Sequence, residues 1–67
     1  MEFRTKLRTM RNLRGLKQTE LSRMCDLSQG MISKLETGDK APTIEQETTI
    51  KAALGWPDER AFEMLEG

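Results

Sequence analysis

The sequence predicts an all-α fold, a compact domain of five helices, and three observations support this prediction. Residues that favour helices, namely Leu, Met, Glu, Lys and Arg, are common, whereas Val and Tyr are absent. Apolar side chains recur at helical spacing, and residues typical of helix ends separate the apolar segments. With 67 residues, the chain is predicted to form a single domain over residues 1–67, close to the smallest size that folds without disulfides, metal or a partner subunit.

The first two helices are predicted from apolar spacing. An apolar face at positions i, i+4 and i+7 runs until Gly15, and it consists of Phe3, Leu7 and Met10. A second, short helix is expected from about Gln18 to Cys25, with Leu21 and Cys25 directed inward one turn apart. Gly15 therefore marks the end of the first helix.

The third helix is predicted from its two ends. Ser28 is a good N-cap, because its hydroxyl can accept a hydrogen bond from the first helical turn. Gly38 suits the position after the last helical residue, and Pro42 prevents continuation. Ile32 and Leu35 are the expected inner face of this helix.

Two further helices are predicted over about residues 43–66. Thr43 and Gln46 have the spacing of a capping box, and Leu54-Gly55 is the expected end of the fourth helix. A fifth helix is expected to begin at Trp56-Pro57-Asp58 and to direct Phe62 and Leu65 inward. We expect residues 43–66 to close the core and to offer a dimer or partner surface, and Trp56 fits either role.

The second and third helices have the pattern of a helix-turn-helix over about residues 18–37. Two short helices joined by a three- or four-residue turn cross steeply when a small residue stands where they approach, and Ser22 has that position. The expected apolar contacts of the crossing are in register along the same stretch, at Leu21, Cys25, Leu27, Ile32 and Leu35. So many matching positions make a chance pattern improbable.

Charge is unevenly distributed along the chain. Residues 1–40 carry nine basic and five acidic side chains, whereas residues 41–67 carry two basic and six acidic ones. The resulting net charges of +4 and −4 suggest a polyanion on one side of the domain and a different contact on the other. Ordinary solvated helix surface would explain the charges equally well, so the motif has to decide.

Composition argues against several classes of protein. The single cysteine and the absence of histidine exclude an internal disulfide framework and a Cys/His zinc set, and we expect no cofactor. Histidine, tyrosine and clustered carboxylates, the usual acid–base groups, are missing, so we expect no enzyme and no small-molecule ligand. We expect no signal peptide, and no apolar run approaches the length of a membrane span.

Residues 3–55 resemble the phage Cro/repressor-type helix-turn-helix domain, also called the lambda-repressor-like or xenobiotic-response-element family. The motifs that carry the resemblance are Arg11, Gly15-Leu16, Gln18, Glu20-Leu21, Leu27-Ser28-Gln29, Ile32-Ser33-Lys34-Leu35-Glu36, Gly38, Pro42 and Ala53-Leu54-Gly55. The resemblance implies that the third helix enters the major groove of double-stranded DNA.

The resemblance also implies roles for individual residues. The expected base-reading residues are Gln29, Ser33 and Lys34. The contacts to the DNA backbone that it implies are Gln18, Ser28, Thr37 and Lys40. Lys17 and Arg14 are added as expected backbone contacts because their charges lie close to the start of the second helix. Simpler roles remain open for three of them: Ser28 as a helix cap, Gln29 as a solvated glutamine and Lys40 as a surface lysine.

Other residues are assigned to the scaffold or depart from the family pattern. Arg11 and Glu36 match a pair that forms a structural salt bridge, and most remaining arginines are expected on solvated faces. Lys17 replaces the usual Ser or Thr cap, and Asp26 replaces the usual glycine of the turn. Gly30, in the first turn of the third helix, is interpreted as leaving space between the helix and the floor of the major groove. The alternative is that the protein simply reads fewer bases.

Two functions fit these expectations. The first is a cytoplasmic, bacterial or phage-encoded transcription regulator, Cro-like or repressor-like, that binds a two-fold DNA operator as a homodimer. The alternative is a protein-interaction module of the same fold, such as the antitoxin of a toxin–antitoxin pair, with a protein partner bound through residues 41–67.

Overall fold

The computed structural model describes residues 2–56 of the chain. Over this range it contains four α-helices and no strand: α1 (Phe3–Leu13), α2 (Gln18–Cys25), α3 (Gln29–Thr37) and α4 (Ile44–Leu54). The first four predicted helices are therefore confirmed, within two residues at each end. The predicted fifth helix lies outside the described residues, as do the inward positions expected for Phe62 and Leu65.

The four helices share one apolar core. Helix α3 packs against α1 and α2, and α4 packs against α2. The buried apolar side chains come from every helix and are Leu7, Met10, Leu21, Cys25, Ile32, Leu35, Ile50 and Leu54. Full burial of one such side chain contributes roughly 1.5–3 kcal/mol, so this cluster is the main source of stability in a chain so short.

Side-chain caps fix where α3 and α4 begin. The Ser28 hydroxyl accepts a hydrogen bond from the Met31 N–H at 3.1 Å. At α4 the Thr43 hydroxyl accepts from the Gln46 N–H at 3.1 Å, and the Gln46 side chain accepts from the Thr43 N–H at 3.0 Å. Both caps stand where the sequence predicts them.

The turn between α2 and α3 depends on Asp26. This residue adopts a left-handed conformation, with φ 55° and ψ 40°, so the turn forms without the family's usual glycine. The following Leu27 N–H donates to the Ser22 carbonyl at 2.9 Å, and Ser22 itself is buried between the helices. The small residue that the sequence indicates for this crossing is thus buried.

Trp56 follows α4 and packs against the core. Its ring stacks on Phe3, with 5.6 Å between the ring centroids, and the Lys51 ammonium lies 5.8 Å from its centroid. These contacts favour core closure over an exposed partner contact for Trp56. None of the helices formed by residues 2–56 combines the length and apolar character that crossing a membrane requires.

Candidate nucleic-acid interface

One face of α3 is directed outward and carries the expected reading residues. Gln29, Gly30, Lys34 and Thr37 are exposed, and Ser33 is half-buried beside them. At 3.6 residues per turn, these five positions fall within a sector of about 140°. The helix therefore presents a continuous polar strip, with the basic side chain of Lys34 near one edge.

The opposite face of α3 is fixed in the core. Ile32 and Leu35 expose no more than 1% of their surface. Because these buried side chains hold the helix against α1 and α2, the outward strip has a defined orientation on the domain. A rigid supporting element is what precise contact with a partner requires.

The acidic residue of α3, Glu36, is withdrawn from the outward strip. Its carboxylate is 3% exposed and receives two hydrogen bonds from Arg11, at 2.7 Å from Nε and 3.0 Å from Nη2. The hydrogen bond to Glu36 raises the pKa of the Arg11 guanidinium above its usual value, although burial opposes this effect. The outward strip of α3 consequently carries no negative charge, and the expected salt bridge is present.

Gln18, the first residue of α2, is connected to the same ion pair. Its side-chain amide Nε2 donates to Glu36 Oε1 at 3.4 Å. Since the amide nitrogen has two hydrogens, one N–H remains for another acceptor. Glu36 thus links the start of α2 to α1 and α3.

The N-terminus of α2 has no side-chain cap, because the Lys17 side chain has no acceptor. Only the return half of a capping box is present: the Glu20 carboxylate accepts from the Lys17 N–H at 3.0 Å. The start of α2 therefore combines the positive end of the helix dipole and the exposed Lys17, which favour an anion, with the Glu20 carboxylate, which opposes a second one.

The loop after α3 places Thr37 and Lys40 on the surface. The Lys34 carbonyl accepts hydrogen bonds from the Gly38 N–H at 3.0 Å and the Lys40 N–H at 3.3 Å, and these bonds tighten the loop. Asp39 is exposed between them, so the charge of the loop is mixed. Lys40 is close in sequence to the reading strip and exposed, which suits both a backbone contact and a surface lysine.

The position of Gly30 has no internal explanation. A Cβ atom at this residue would meet only the Ser28 hydroxyl, at 3.9 Å, and its φ lies in the ordinary helical range. Neither backbone conformation nor close packing therefore requires glycine. Nothing within residues 2–56 thus explains glycine at this position.

Comparison with known proteins agrees with this geometry. A family model for the helix-turn-helix matches residues 7–46, which include α2, the turn and α3. The chain belongs to the Cro/C1-type helix-turn-helix family. Domains of this family are DNA-binding and of the transcription-regulator type. No curated protein matches the chain.

In this Cro/C1-type domain, Arg14 makes a contact within the protein that the sequence did not indicate. Its Nε donates to the Leu54 carbonyl at 2.8 Å and its Nη2 to the Gly55 carbonyl at 3.1 Å. The guanidinium thus holds the carbonyl end of α4, where a positive charge is favourable. These bonds favour a scaffold role for Arg14 over the phosphate contact that the sequence predicts.

Two more arginines of the domain are not simply solvated. Arg8 Nη2 donates to the Glu36 carbonyl at 3.2 Å, and Arg4 Nη1 donates to the Thr37 carbonyl at 3.4 Å. Both side chains are exposed, as the sequence predicts, and each also binds the last turn of α3. The spacing of the arginines could have indicated these contacts. Arg4, Arg8 and Arg11 stand at i, i+4 and i+7, so they share one face of α1.

Residues 2–56 of the domain contain neither a metal-binding cluster nor a reactive thiol. No group of three or more His, Cys, Asp or Glu side chains there could hold a metal ion. Cys25 is buried, and burial raises the pKa of its thiol, which therefore stays protonated at neutral pH. Cys25 acts as a small apolar residue of the core.

Proposed function

We propose that this Cro/C1-type domain recognises a specific double-stranded DNA sequence by placing α3 in the major groove. The outward strip of α3 carries this proposal, because it is polar, free of acidic side chains and fixed by the buried Ile32 and Leu35. Major-groove reading requires such side chains on a rigid helix.

Base reading is assigned to three residues of the strip. Gln29, at the start of α3 and exposed, can bond adenine N6 and N7 with both ends of its amide. Ser33 lies one turn further along, and Lys34 can reach guanine or a phosphate. Gly30 leaves room for close approach between them.

Contacts to the DNA backbone are assigned to the two ends of the motif. At the start of α2, the exposed Lys17 and the remaining amide N–H of Gln18 suit one phosphate. Ser28 caps α3, and its hydroxyl hydrogen is still available to a phosphate oxygen. Beyond the other end of α3, the exposed Lys40 suits the flanking strand. Thr37 joins it only by exchanging the hydrogen bond that its hydroxyl donates to the Lys34 carbonyl at 3.2 Å.

We further propose that the active form is a homodimer on a two-fold operator, in the cytoplasm of a bacterial or phage-infected cell. A single small module buries too little DNA surface for strong specificity, and a second copy doubles the number of base contacts.

A protein partner is the second candidate function, as in an antitoxin of the same fold. Ile44, at the first position of α4, is 86% exposed, and Met24 is 52% exposed. Exposed apolar side chains of this size suit a protein contact. The net charge of −4 over residues 41–67 makes that part of the chain unsuited to DNA.

Selection of bound sequences from a pool of random DNA duplexes tests the proposal. A two-fold sequence motif, bound with an affinity that falls steeply with salt, is the expected result. Absence of any enriched sequence, together with co-purification of one neighbouring gene product, would favour the protein-interaction module instead.

A further inference from the structure

A row of arginines on α1 holds the carbonyl end of α3. The last carbonyl groups of a helix lack the usual partner one turn further along, and here three of them are bonded by other groups. The Lys34 carbonyl is bonded by the Gly38 and Lys40 N–H groups and by the Thr37 hydroxyl. The Glu36 and Thr37 carbonyls are bonded by Arg8 and Arg4.

We propose that Arg8, supported by Arg4, is a positioning residue for DNA recognition: it fixes the C-terminal turn of α3 and so the angle at which the outward strip is presented. The inference rests on the proposed function, in which Ser33 and Lys34 of that strip read bases. Arg8 itself contacts α3 and not DNA.

The geometry gives Arg8 the larger effect. Its bond to the Glu36 carbonyl is partly buried and 3.2 Å long. Glu36 directly precedes Thr37, the last residue of the outward strip. The Arg4 bond is exposed and 3.4 Å long, and the Arg4 Nε also pairs with Glu2 at 2.7 Å. Arg4 mainly covers Gly38, where a Cβ atom would come within 2.7 Å of its Nη1.

A structural contact of the same kind exists away from α3. Arg14 bonds the carbonyl end of α4 with two nitrogens. Arg14→Met therefore removes one positive charge and one set of helix-end bonds, as Arg8→Met does, and it leaves α3 untouched. Methionine keeps the aliphatic part of either side chain.

The experiment compares Arg8→Met with Arg14→Met in two measurements. The first is the ratio of affinities for the selected operator and for a random duplex. We expect Arg8→Met to lower this ratio by about three- to tenfold. Arg14→Met loses the same positive charge but leaves α3 untouched, so we expect it to keep the ratio within about twofold. Partial unfolding or loss of charge alone would weaken binding to both duplexes equally and leave the ratio unchanged.

The second measurement is amide hydrogen exchange without DNA. Arg8→Met should speed exchange in the last turn of α3, and Arg14→Met in the last turn of α4. Unchanged exchange in α3, or an unchanged affinity ratio with faster exchange, overturns the positioning role. If the unmodified chain prefers no sequence, the proposed function fails, whereas the exchange data still decide whether Arg8 orders α3.

Discussion

Arg11 binds both carboxylate oxygens of Glu36, at 2.7 and 3.0 Å, across 25 positions of sequence. Its third nitrogen, Nη1, donates to the Leu16 carbonyl at 2.8 Å. The guanidinium thus joins α1, the loop after it and α3. This ion pair holds the only acidic side chain of α3 against α1. The outward strip of α3 therefore carries no acidic group.

Arg11→Met should destabilise the domain by about 3–5 kcal/mol, because it leaves the buried Glu36 carboxylate without its counter-charge. Urea unfolding followed by circular dichroism measures the loss, which could unfold so small a domain completely. The double variant Arg11→Met/Glu36→Gln should recover part of the stability, since no buried charge remains. A single variant that loses under 1 kcal/mol would show that the pair is not critical.

Gln29→Ala should weaken binding to the selected operator by about 1–3 kcal/mol and leave random-duplex binding nearly unchanged. The reason is that a bidentate amide contact discriminates between bases, whereas phosphate contacts do not. Titrations of both duplexes at one salt concentration measure the effect. Asn12→Ala, which removes an exposed amide from α1, is the matched control. Equal losses on both duplexes would contradict base reading by Gln29.

Lys34→Ala should lower the slope of log affinity against log salt by about one, if its ammonium neutralises a phosphate. Affinities over a series of salt concentrations give the slope. Arg23→Ala removes one exposed positive charge from α2 and should change the slope less. Identical slopes for the two variants would remove Lys34 from the list of phosphate contacts.

Gly30→Ala should stabilise the free domain by roughly 0.5–1 kcal/mol and yet weaken operator binding. Alanine is the better helix former and meets nothing closer than 3.9 Å, whereas its methyl group would lie between α3 and the groove floor. Thermal unfolding and operator titration measure the two effects. Gly15→Ala also faces open space, but it should destabilise the domain because φ at Gly15 is +67°. Unimpaired binding by Gly30→Ala would show that the protein simply reads fewer bases.

Asp26→Gly should raise the free energy of unfolding by up to about 1 kcal/mol, because glycine adopts the left-handed conformation of this turn without steric cost. Asp26→Val should have the opposite effect, since a β-branched side chain is strained at positive φ. Denaturation midpoints of the two variants report the difference. A lower midpoint for Asp26→Gly would mean that the aspartate side chain contributes more than its backbone strain costs.

Local features of the sequence were sufficient to predict α1 to α4. Caps such as Ser28 and Thr43, and apolar spacing such as that of Leu21 and Cys25, involve residues within one or two turns of each other. The helix-turn-helix pattern also indicated the small buried residue at Ser22. Such signals are readable because the atoms that satisfy them are near in the chain.

The candidate site was predicted only in part. The exposure of Gln29 and Lys34 follows from helical periodicity, since they are the two edges of a strip whose middle lies opposite Ile32 and Leu35. The amide of Gln18 was expected at a phosphate, and only the structure places one of its hydrogens on Glu36. A flexible polar side chain can reach several acceptors, and sequence spacing does not select among them.

By itself, the sequence determined the helices, the motif and the family of this protein, because all three depend on the order of neighbouring residues. Only the tertiary structure decided the roles of Arg4, Arg8 and Arg14. Each donates to a carbonyl group between 28 and 41 positions away, at a helix end that folding brings beside α1. A backbone carbonyl leaves no trace in residue identity, so its partner becomes visible only when the helices are packed together.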